Sequence, residues 1–149
     1  MSRLNRRTVL TAGLALSALA ATGLAPLMAE GLKSSPPPEG AELRIVSPQD
    51  GDTVPQEFTV VFGLTGMGIA PAGVEREGTG HHHLLVDASE LPPQDLPMGS
   101  PPIHFGGGQT ETVLTLEPGE HTLQLIMGDY LHIPHSPPIT SEMITITVE

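Results

Sequence analysis

The chain has 149 residues, 17 of them glycine and 16 proline, with no cysteine and no tryptophan. The missing cysteine excludes disulfides, Cys-ligated zinc, iron–sulfur clusters and a lipid-anchored Cys, so a metal site would have to use His, Met, carboxylate or backbone oxygen. The net charge is −11 and every one of the 17 carboxylates lies at Glu30 or later, a field that repels nucleic acid and anionic membranes and attracts cations.

Residues 1–29 read as a twin-arginine signal peptide. Arg6-Arg7 stand in a short basic region followed by Thr8-Val9-Leu10, and an apolar stretch runs from Val9 to about Leu27, interrupted by Gly13, Gly23 and Pro26. Its length and glycines suit a signal better than a stable anchor, with cleavage expected after Ala29. The expected location is periplasmic or secreted, with membrane contact only through the signal before cleavage. Removing this segment leaves Lys33, Arg44 and Arg76 against the 17 carboxylates, a net charge of −14.

Residues 30–42, with Ser34-Ser35-Pro36-Pro37-Pro38, read as a proline-rich linker. From 43 to 149 the chain is one domain of short β-type runs separated by turn residues, with no helical period of ten residues. The runs are Glu42–Ser47, Glu57–Leu64, Gly80–Asp87, Glu111–Leu116, His121–Met127 and Glu142–Val148. Alternation is clearest where Ile144, Ile146 and Val148 share one face and Met143, Thr145 and Thr147 the other. Pro118-Gly119 supplies a turn, so Glu111–Met127 reads as a hairpin. The stretch Ala88–Pro102 carries Pro92-Pro93, Pro97 and Pro101-Pro102 and reads as a surface excursion. The pattern predicts an all-β fold, an immunoglobulin-like antiparallel β-sandwich of about seven strands, with a small barrel as the alternative.

Seven histidines lie at His81, His82, His83, His104, His121, His132 and His135. In a strand, His81 and His83 fall on one face and His82 on the other, but Leu85 accompanies the first pair while Leu84 and Val86 accompany His82, so period alone does not say which face is buried. His132-Ile133-Pro134-His135 is a His-x-x-His spacing in a proline-stiffened loop. Neutral imidazole is the commonest metal ligand, and a stiff loop loses little entropy when its ligands are fixed. Asp129 stands close enough in sequence to orient an imidazole, and Met127 offers a soft ligand for copper; Met67 is a weaker candidate. Against this, histidines also buttress turns through ring hydrogen bonds, and Met127 suits a core. Phe105-Gly106-Gly107-Gly108-Gln109-Thr110 precedes a strand, not a helix, so it reads as a glycine turn allowing close backbone approach and not as a phosphate cradle.

Four strings, Gly80–Asp87, Ile103–Glu111, Pro118–Leu123 and Gly128–Asp129 with His132–His135, resemble in order a bacterial exported family known as domain of unknown function 4399. The resemblance spans roughly Ser47 to Val148. It implies a small secreted or periplasmic β domain with a repeated His pattern, and implies neither catalytic residues nor a particular metal.

The sequence therefore points first to a non-enzymatic protein that binds a transition-metal ion, copper(II) before zinc, with His81, His83, His104, His132 and His135 as ligands. A structural or protein-interaction module of the cell envelope is the alternative. Hydrolysis is disfavoured: no Gly-x-Ser-x-Gly elbow occurs, and cysteine nucleophiles are absent.

Overall fold

The computed structural model describes residues 33–149, so the signal-like segment lies outside the described residues. Those residues form an all-β fold of nine strands: β1 (Glu42–Ser47), β2 (Thr53–Val54), β3 (Glu57–Thr65), β4 (Gly68–Ile69), β5 (Thr79–Val86), β6 (Ile103–His104), β7 (Glu111–Thr115), β8 (Gly119–Gly128) and β9 (Ile144–Val148). One sheet has the order β1-β3-β7 and the other β2-β9-β8-β5-β4, with β6 added on β5.

The two sheets enclose the core. Phe58, Val60 and Phe62 of β3 meet Leu84 of β5, Leu123, Leu125 and Met127 of β8, and Ile146 and Val148 of β9. These positions follow the two-residue period of a pleated strand, and each fully buried aliphatic contributes about 1.5–3 kcal/mol. The six long strands fall where the alternation places them. The three two-residue strands β2, β4 and β6 are too short to show a period, and β2 and β4 pair in parallel with β9 and β5.

One expectation is corrected. Glu111–Met127 is not a hairpin, because β7 pairs with β3, where Leu114 faces Phe58, while β8 pairs with β5 and β9. The Leu116 amide still bonds to Gln56 O across the first sheet, after which Glu117-Pro118 carries the chain to the second. In a sandwich, strands of opposite sheets aim their apolar residues at the same interior, so Leu114 and Leu123 show the alternation that a hairpin would also show.

β5 is covered on both faces. Every residue from Gly80 to Leu85 is buried. Gly80, His82 and Leu84 face the sandwich interior. His81, His83 and Leu85 face outward, where Leu85 packs with Ile126 and with Met98 from the 88–102 excursion. Residues 33–41 form no helix or strand and lie against the domain: Ser35 Oγ donates to Asp129 Oδ2 at 3.3 Å, and the Ser136 amide bonds to Ser35 O.

Candidate metal centre

On the outer face of β5 four imidazoles converge. The His81 ring centroid lies 4.8 Å from that of His83, 5.0 Å from His104 and 5.0 Å from His132, and the His104 and His132 rings are 4.6 Å apart. His81, His104 and His132 each offer a ring nitrogen, and these three atoms lie within 4.8 Å of one another. Nitrogens around a tetrahedral ion at about 2 Å stand about 3.3 Å apart, so small ring rotations would close the set on an ion.

Each ring arrives by a different route. β5 supplies His81 and His83 at alternate positions. β6 lies beside β5 in antiparallel register with His104 opposite His83, which puts His104 on the same face. The glycine turn that follows leaves room for it: a Cβ on Gly106 would lie 2.6 Å from His104 Nε2 and push the ring from this position. His132 comes from the loop after β8 and has φ 67°, left-handed backbone that a non-glycine residue rarely adopts.

Asp129 holds that loop. Its Oδ1 accepts the amides of Leu131 at 2.8 Å and Ile133 at 3.0 Å, its carbonyl accepts the His132 amide, and its own amide donates to Ile133 O. Asp129 thus positions His132 through the backbone, where the sequence suggested a direct bond to an imidazole. The His132 carbonyl in turn accepts the Met98 amide at 2.8 Å, which ties the proline-rich excursion to the site.

β8 leaves the pocket its room. Gly128 pairs with His81, and a Cβ there would lie 2.7 Å from His83 Cε1 and 2.8 Å from the Met98 methyl. The ring and the methyl fill the space that a side chain on β8 would occupy.

Burial decides the electrostatics. His81 and His83 have no accessible surface, and none of their four ring nitrogens has a hydrogen-bond partner. Desolvation, followed by repulsion from His132 and His104, lowers the His81 pKa to about 4. Desolvation, followed by repulsion from His81, His104 and His132, lowers His83 to about 3. Partial desolvation on its inner side also lowers His104, with His132 adding to the effect. These rings are therefore neutral at pH 7, the state in which imidazole offers a lone pair. His104 itself is exposed and His132 partly so, and the pocket opens to solvent on that side.

The other histidines are placed differently. His135 is buried on the opposite side of β5: its Cε1 and the Met67 methyl lie 3.3 and 3.0 Å from the point a Cβ on Gly80 would occupy. His82 packs against Phe62 with ring centroids 5.0 Å apart and donates Nδ1–H to Gln109 O at 3.1 Å. His121 stands at the far end of β8, bonded to Asp87 Oδ2 at 2.7 Å and to Glu117 O at 2.9 Å. Met127, the suggested soft ligand, faces the interior within the core. Met98, on the site's own face, carries no periodic signal in its proline-rich segment.

A family model described as a domain of unknown function (DUF4399) matches residues 60–149. The chain belongs to this family. The DUF4399 match begins within β3, later than the Ser47 start suggested by the motifs, and it contains all seven histidines and Asp129. No curated protein and no solved structure matches the chain.

Proposed function

We propose that the protein binds one transition-metal ion, copper first and zinc second, through His81, His104 and His132, with His83 as a fourth imidazole. The observation that carries this reading is the convergence of three ring nitrogens at a pocket whose innermost rings have no hydrogen-bond partner. Buried polar atoms are normally paired, and each orphan costs about 1–3 kcal/mol, so an ion that takes one nitrogen of His81 and one of His83 would relieve two of the four orphans. An ion would take up one lone pair from each imidazole. Copper leads because it stands highest among the first-row divalent ions for nitrogen ligands. The acidic surface raises the local cation concentration. We place the protein in the periplasm or outside the cell, on the strength of its twin-arginine segment, and assign it a binding role and not catalysis.

The test is a titration of the untagged protein with copper(II) and zinc(II), followed by mass spectrometry of the retained metal. One tightly held ion per chain is expected. His104 and His132 are the more exposed ligands, so a His104→Ala/His132→Ala variant should keep its fold. It should lose more than about 100-fold in affinity, beyond the 10–100-fold typical of residues that merely orient a ligand. Binding that survives both changes would overturn the reading and leave an envelope interaction module in its place.

A further inference from the structure

The chain has no cysteine, so methionine is its one source of a soft sulfur ligand. Among the described methionines, Met67 and Met127 pack on the interior side of the second sheet and Met143 is half exposed before β9. Met98 alone stands with the imidazole cluster. It is 8% exposed, its amide is bonded to the His132 carbonyl, and its methyl shares with the His83 ring the space left open by Gly128. The excursion that bears it runs directly into β6, so one stretch of chain delivers both Met98 and His104 to the pocket.

We propose that Met98 is a thioether ligand of the centre, giving it a mixed imidazole and sulfur donor set that holds copper(I) as well as copper(II). This rests on the metal-binding reading above. Copper(I) is a soft ion that favours thioether sulfur and accepts low coordination, whereas zinc and copper(II) are satisfied by imidazole alone. Met98 would therefore set the oxidation state that the site retains. A thioether carries no proton and no charge, so it can stay buried at little desolvation cost when no ion is bound, unlike a carboxylate in the same place.

The experiment compares the wild-type chain, Met98→Leu and His104→Ala/His132→Ala. Copper(I) affinity is measured anaerobically against bicinchoninate, copper(II) affinity against nitrilotriacetate, and the coordination shell by X-ray absorption. Leucine nearly conserves the volume of methionine, so the fold should persist. The expected result is a sulfur scatterer at about 2.3 Å in the copper(I) form of the wild type. In Met98→Leu that scatterer disappears, copper(I) affinity falls about tenfold or more, and copper(II) affinity changes little. A wild-type spectrum with nitrogen and oxygen alone overturns the Met98 assignment even if Met98→Leu misfolds; so does a copper(I) affinity unchanged by the substitution. In either case copper binding that depends on His104 and His132 leaves the metal centre standing. Copper binding indifferent to those two histidines refutes the centre, and Met98 with it.

Discussion

Acid should destabilise the metal-free protein well above the range in which its carboxylates titrate. In the unfolded chain His81 and His83 protonate near 6.5, and in the folded chain near 4 and 3. Between those limits the unfolded state binds more protons, so stability is complete above pH 6.5 and declines as pH falls toward the folded values. At pH 4.5 linkage assigns about 2–3 kcal/mol of lost stability to each ring, about 5 kcal/mol for the pair. That is an upper bound, since the pocket opens to water past His104, yet it approaches the total stability of a small domain. The assay has two parts, both with chelator present: urea unfolding at pH 7.0 and 4.5, and a histidine-resolved NMR titration of the folded chain. Two buried rings that stay neutral to below pH 5, with a large drop in the urea midpoint, are expected. Folded-state titration of His81 and His83 near 6.5, or equal stability at the two pH values, would refute the reasoning. Bound zinc should raise stability at neutral pH and be released on acidification, because protons compete for the same nitrogens.

Gly128→Ala places a methyl into contact with the His83 ring and the Met98 methyl; a loss of about 1–3 kcal/mol in urea unfolding is expected, together with weaker copper binding. Asp129→Ala leaves the Leu131 and Ile133 amides unpartnered, costing about 1–3 kcal/mol for each group that water does not reach, and frees His132 to move, so metal affinity should fall about 10–100-fold by calorimetry. His121 behaves oppositely to the cluster. The Asp87 hydrogen bond first, and then the Glu117 carbonyl, raise its pKa, so the stabilisation is full below pH 6.5 and fades as pH rises through the folded value. Relative to the wild type, Asp87→Asn should therefore lose slightly more stability at pH 6 than at pH 8, read from the urea midpoints of the two proteins at each pH.

The sequence reveals strands best where one face meets the core and the other meets water, as in Ile144–Val148. It is less informative at Gly80–Leu85, where alternation cannot choose a buried face because the core covers one side and the 88–102 excursion the other. The convergence of His81, His83, His104 and His132 is legible as a clustering of histidines in the second half of the chain. Which of His132 and His135 turns toward the cluster depends on a loop bent by positive φ at His132, and spacing carries no information about that. Met98 and Gly128 escape notice for a related reason: one lies in a segment without period, and the other acts by having no side chain.

The alternation along β5 also fixes the fidelity of the fold. The six buried residues from Gly80 to Leu85 serve two compartments in strict turn, so a slip of one residue against β8 would drive His81 and His83 between the sheets and expel His82 and Leu84 into the pocket. Such a slip would strip Leu84 of its apolar contacts and part His81 and His83 from the His104 and His132 rings they stand beside. The pocket thereby proofreads the strand pairing that creates it.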